Sequence, residues 1–274
     1  MTKSDVHGAG RLDPLSVVVI GNSAVYQQAP ARRRREEGVY AEEMRTLLRA
    51  RGIDAALHME GGWFDLITTP SRRYEPLIRN HFPDVVIIHY GAAEAGPYLM
   101  PFGLLRHLTR RSSPIGRAGE LYRRVVVANA WRVARWYRQA MSAVVGDRTW
   151  QMRPTIFAAH LTNVVTQIRR DRRPLVLVVD ITPAGDALEH FLPGIKKRHE
   201  TYRTTIAEAV RRLDDSDVRV VPIVDLLAPL GWEDAVPDGL HYSAKSHAIL
   251  GQWLADTVVE WLTAEAAARS RATE

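Results

Sequence analysis

The sequence of 274 residues contains no cysteine, which excludes disulfides and thiolate metal sites outright. Long apolar runs are missing too. Val17 to Ile20 and Val85 to Ile88 are strand-sized, far short of the roughly 20 apolar residues that span a bilayer. The opening stretch, MTKSDVHGAGRLDP, has no apolar core behind its first charges, so no secretory signal is read in it, and a cytoplasmic location without membrane attachment is expected. Gly-x-x-x-x-Gly-Lys, Gly-x-Gly-x-x-Gly and His-Glu-x-x-His are all absent, so neither a nucleotide cofactor nor a metal is expected. Acidic residues are scarce in one segment. Pro97 to Pro154 holds eleven arginines, no lysine, one glutamate and one aspartate, a surplus of nine on a chain whose net charge is +6. Such a segment can steer an anionic substrate or an acidic carrier protein, while nucleic acid is disfavoured because no reading motif accompanies the arginines. A merely solvated arginine surface has about equal weight.

What remains is an ordinary soluble composition, 46% hydrophobic and 25% charged. Short β-branched runs recur at 15–20, 54–59, 84–89, 174–180 and 218–224, the last interrupted by Pro222. Helical spacing appears over 36–51, 202–213 and 244–262. Strands alternating with helices predict a three-layer α/β/α doubly wound parallel sheet of about five strands, flavodoxin-like, as one domain over 13–263. The arginine-rich segment, 97–154, breaks the rhythm and reads as a helical insertion near the carboxyl ends of the strands. Its tryptophans, Trp131, Trp136 and Trp150, fit core packing better than a substrate platform. Residues 1–12 and 264–274 read as loose tails.

Ligands of such sheets bind at the carboxyl ends of the strands. Gly21-Asn22-Ser23 follows the first strand directly. Taken alone it is also a good turn sequence. Asp238-Gly239-Leu240-His241 precedes the last helix, where Asp could equally cap that helix. A serine becomes a nucleophile only when a base takes its proton and an acid orients that base. Asp238 and His241, three residues apart around a glycine, suit the acid and base roles. His247 is read as packing on the last helix.

The ordered pair of blocks resembles the SGNH/GDSL hydrolases, over roughly residues 15–262. Gly21-Asn-Ser23 is similar to that family's Gly-Asp-Ser block, with Asn22 in place of Asp. Asp238-Gly-Leu-His241 is similar to its last block, and Glu60-Gly-Gly-Trp63 to its second. The resemblance implies catalysis by Ser23, Asp238 and His241. It also implies an oxyanion hole from the N–H groups of Ser23, Gly61 or Gly62, with Gly91 beside them. In the family's third block, Gly-x-Asn-Asp, the Asn side chain is an oxyanion donor; here Gly91-Ala-Ala-Glu94 puts Ala93 at that position. His89, Tyr90 and Asn163 are candidate substitutes, and Asn22, Tyr90, Glu94 and Asn163 are candidate substrate contacts. The implied function is a serine esterase or thioesterase acting on a small molecule or acylated metabolite. The alternatives are an acyltransferase using the same triad and a catalytically silent binding protein.

Overall fold

The computed structural model describes residues 13–26, 38–62, 65–97, 122, 125, 128–145 and 150–272. Five strands form its sheet: β1 (Leu15–Gly21), β2 (Ala55–Gly61), β3 (Val85–His89), β4 (Leu175–Val179) and β5 (Val218–Val221). All pair in parallel, in the order β2-β1-β3-β4-β5. The chain moves outward from β1 to β2, then crosses back to β3. The carboxyl ends of β1 and β3 therefore flank the switch point, where a doubly wound sheet leaves a crevice.

Side-chain alternation along each strand builds the layers. Val17, Val19, Val85, Ile87, Leu175 and Leu177 belong to one buried cluster, completed by helices α2 (Tyr40–Ala50) and α12 (Ala244–Ala272). Val18, Ile20, Val86, Ile88, Val176 and Val178 belong to the other, completed by α7 (Pro154–Arg172) and α9 (Ile195–Leu213). Full burial of each such side chain contributes roughly 1.5–3 kcal/mol. The edge strand β2 is only half-buried beyond Ala55 and carries His58 and Glu60, the polar content that suits an unpaired edge.

The shorter helices are α1 (Ser23–Tyr26), α3 (Thr68–Arg72), α4 (Tyr74–Leu77), α5 (Ala92–Ala95), α8 (Asp186–Phe191), α10 (Ile223–Leu227) and α11 (Trp232–Ala235). Between α5 and α7 lies α6 (Ala128–Val145), the described helix of the insertion. The expected helix over 202–213 begins earlier, at Ile195. The apolar run 218–224 divides at Pro222, which ends the strand because it has no N–H to give the ladder, and α10 starts at the next residue. The last helix continues to Ala272, through the stretch expected to be a loose tail; Glu265-Ala-Ala-Ala268 is a run of strong helix formers. Residues 1–12 lie outside the described residues, as does most of 98–127. Within α6, Trp136 is 69% exposed, and Val133, Tyr137 and Val144 are exposed with it. Trp150 instead packs against Tyr202, and the Arg198 guanidinium lies 4.6 Å from its ring centroid. The Trp131 side chain lies outside the described residues. No helix among those described is long and apolar enough to cross a membrane.

Candidate active site

Ser23 opens the short helix α1 immediately beyond β1. The strand ends here because the neighbouring backbones converge. Gly21 pairs with Gly61 at the top of β2, and a Cβ on Gly61 would run into the Gly21 carbonyl oxygen. Gly61 also holds φ = 143°, a region that side chains disfavour. The two glycines thus let the β1–α1 turn and the β2 exit lie side by side.

The acid and base come from one loop between α11 and α12. Asp238 Oδ1 accepts the N–H groups of Leu240 (2.9 Å) and His241 (2.7 Å), a local turn closed by its own side chain. The other oxygen, Oδ2, is 2.7 Å from His241 Nδ1. His241 Nε2 is 3.1 Å from Ser23 Oγ. With Nδ1–H donated to the carboxylate, Nε2 is the nitrogen that accepts from the serine hydroxyl. Burial pushes the Asp238 carboxyl up. The imidazole beside it and the two backbone N–H donors outweigh that effect and hold it below the ordinary carboxylate range.

Beneath this loop is a buried network of tyrosine and histidine that the sequence reading did not find. Tyr242, directly after His241, is 2% exposed, and its hydroxyl lies 3.4 Å from His89 Nε2. On the other side of the same ring, Nδ1 is 3.2 Å from the Tyr40 hydroxyl. The Tyr40 N–H donates to Nδ1 of His247 at 3.1 Å. Burial, aided by His247, pushes His89 down to about 3, so its ring is neutral. The network ties α2, the end of β3 and α12 to the residue that follows the base. The adjacency of Tyr242 to His241 was a usable signal; the partners of that tyrosine lie far away in sequence. His247 packs on α12, as its position suggested.

On the other flank of Ser23, among the described residues, neither the Ser23 N–H nor the Gly62 N–H has an acceptor. Ser23 opens α1, and the Gly62 carbonyl accepts the Asp65 N–H at 3.2 Å. Gly91, expected beside them, is already engaged: its N–H donates to Glu94 Oε2 at 2.9 Å. Several expected substrate contacts point elsewhere. Asn22 is 4% exposed, and its Oδ1 accepts the Ala24 N–H at 3.2 Å, so it caps α1. Tyr90 belongs to the buried cluster under α7 and α9. Asn163 is on the exposed face of α7, and its Oδ1 lies 3.5 Å from Gln167 Nε2. His89 is closed in by the tyrosines. Glu94 is wholly buried and spans two backbones, with Oε1 accepting the Ile67 N–H at 2.7 Å. The reason is common to all of these: residues just past a parallel strand can turn into the core as readily as out to the crevice, and residue type alone does not say which.

Solved structures share this architecture. The chain is similar to a lipase/acylhydrolase from Enterococcus faecalis, at 14% identity and a TM-score of 0.59, covering 89% of this chain and 95% of that one. It is similar to Est24, a carbohydrate acetylesterase from Sinorhizobium meliloti, at 15% identity and a TM-score of 0.55, covering 90% and 99%. It is also similar to a putative lipolytic protein of the G-D-S-L family from Desulfitobacterium hafniense, at 12% identity and a TM-score of 0.53, covering 88% and 98%. At these identities the likeness is one of fold. No family profile matches the sequence, and no curated protein matches it.

Proposed function

We propose that the protein is a serine hydrolase of the SGNH/GDSL type, which cleaves an ester or thioester through an acyl-enzyme on Ser23. The observation that carries this reading is the unbroken contact chain from Asp238 Oδ2 through both nitrogens of His241 to Ser23 Oγ, at 2.7 and 3.1 Å. The expected order of blocks and the likeness in fold to lipolytic and acetylesterase structures add to it.

Ser23 Oγ attacks the carbonyl carbon while His241 Nε2 takes the hydroxyl proton. The carbonyl π pair moves to oxygen, and the N–H groups of Ser23 and Gly62 hold that oxyanion. The tetrahedral centre collapses, the bond to the alcohol or thiol breaks, and His241 returns the proton to the leaving group. Water then attacks the acyl-enzyme and gives a proton to His241. Collapse of the second tetrahedral centre releases the acid and restores the Ser23 hydroxyl. Throughout, Asp238 keeps the imidazole in the reactive tautomer and stabilises its charged form. Ala93 supplies no side-chain donor, which leaves these two N–H groups as the assigned donors among the described residues. Loss of one donor typically costs roughly 100- to 1000-fold in turnover, which points to an activated acyl group as substrate.

The test is covalent labelling by a fluorophosphonate. The wild type should be modified on Ser23, and Ser23→Ala should lose labelling and at least about 10⁴-fold of its esterase turnover. Equal labelling of both proteins would overturn the assignment.

A further inference from the structure

The carboxylate of Glu94 has no place in the proton transfers above, yet it is wholly buried and joins the two loops that border the oxyanion side. Its Oε1 accepts the Ile67 N–H at 2.7 Å, at the end of the loop that leaves β2 through Gly61 and Gly62. Its Oε2 accepts the Gly91 N–H at 2.9 Å, at the exit of β3. The backbone carbonyl of the same residue accepts the Met152 N–H at 3.1 Å, which fastens the start of α7 to the same turn. The Glu94 N–H also lies against its own carboxylate. An ionised carboxylate is the strongest acceptor for these N–H groups; protonation turns one oxygen into a hydroxyl, a poorer acceptor that must itself donate, and so weakens one of the contacts. Gly61 anchors the near end of the β2 loop against Gly21, and Glu94 anchors its far end.

We propose, on the serine-hydrolase reading given above, that Glu94 is a positioning residue: by joining Ile67 to Gly91 it keeps the exits of β2 and β3, and with them the Gly62 N–H assigned to the oxyanion, in place beside Ser23. It acts through the backbone of Ile67 and never touches substrate. The charged and titratable groups that act on it are Asp65 on the same loop and Tyr202 on α9, which itself faces Arg198. No cation forms an ion pair with its carboxylate among the described residues. Burial pushes the carboxyl up to about 7, against the pull of its N–H donors, with Asp65 adding to the rise. The anchor therefore weakens as protons are added near neutrality. The acid limb of the reaction then includes the ionisation of Glu94.

Glu94→Gln keeps the shape and reverses one contact, because an amide NH₂ meets one backbone N–H. The experiment follows fluorophosphonate inactivation of the full-length wild type, Ser23→Ala and Glu94→Gln between about pH 5 and 8, with circular dichroism confirming the fold at each pH. The expected result is a fall in the maximal inactivation rate of about 10- to 100-fold in Glu94→Gln, less than complete loss of a donor. The half-saturating probe concentration should be unchanged. The acid limb should be steeper in the wild type than in the variant, which lacks the Glu94 ionisation. A wild-type rate and slope in Glu94→Gln would overturn the proposal and leave the triad standing. Failure of the wild type to label at Ser23 would overturn both. If Glu94→Gln does not fold, Glu94→Asp takes its place: a carboxylate one carbon shorter that cannot span both N–H groups should show the same fall in rate, and a wild-type rate would overturn the proposal.

Discussion

On the base side of Ser23, acid and base come from one short loop, Asp238 to His241, closed by the aspartate's own bonds to the next two N–H groups. On the oxyanion side, the exits of β1, β2 and β3 meet, and a buried carboxylate from α5 fastens the last two. The first arrangement is local and half-exposed: the Asp238 side chain is 41% exposed. The second is assembled across the sheet around a carboxylate that is sealed from water. Local geometry survives single substitutions that keep its hydrogen bonds, whereas a buried charge responds to pH and to every neighbour. Chemistry on one flank therefore should be separable from stability, while on the other a single substitution should change both.

The largest effect that separates the flanks is expected from Asp238→Asn. Its Oδ1 can still accept from Leu240 and His241, so the loop should keep its shape. The amide NH₂ would face Nδ1 of His241 and favour the tautomer whose Nε2 carries the proton and cannot take one from Ser23. Turnover should fall by about 10²- to 10⁴-fold with the thermal midpoint nearly unchanged. A large drop in the midpoint would mean that the loop is not self-sufficient.

Glu94 should show the opposite coupling. Its carboxyl, at about 7 when folded and near its ordinary value when unfolded, holds a proton in the native state across a window where the unfolded chain has lost it. The native state binds more protons there, so stability falls as pH rises through that window, by roughly 3 kcal/mol at most. Glu94→Gln lacks this slope. Urea unfolding of both proteins at several pH values between about 5 and 8 should show wild type losing ground to the variant as pH rises. A gap independent of pH would contradict the buried-charge account.

The smallest effect concerns the floor of the base side. Tyr242→Phe removes the hydroxyl 3.4 Å from His89 Nε2. A buried ring nitrogen is left without that contact, at a cost of about 1 kcal/mol. Because Tyr242 is the neighbour of His241, turnover should fall by less than about 10-fold, the sign of a loosened base and not a lost one. An unchanged midpoint and rate would mean that the network is idle.

The legibility of the site follows the same division. Ser23 after β1 and Asp238 with His241 before α12 could be placed from sequence because each is fixed by neighbours within a few residues. The parallel sheet was legible in apolar runs alternating with helices, while the order of its strands came from the structure. In the sequence Glu94 reads as a substrate contact and Tyr90 as an oxyanion substitute or substrate contact, yet both turn into the protein. Their direction depends on Ile67, from the β2 loop, and on the helices packed over β3. Gly91 was expected beside the oxyanion, and its N–H is held by a carboxylate three residues on. Nothing in Gly-Ala-Ala-Glu distinguishes a glutamate that reaches outward from one that bridges two loops.

By itself the sequence determined the alternation of strands and helices, the nucleophile's turn and the self-closed acid–base loop, because backbone propensity and hydrogen bonds over three residues act without the rest of the chain. Only the tertiary structure decided which polar residues at the strand ends are buried, that His89 lies between Tyr40 and Tyr242, and that Glu94 joins the exits of β2 and β3. Those contacts bring together segments tens of residues apart, and their strength comes from the exclusion of water, a property of the packed layers that no short stretch of chain possesses.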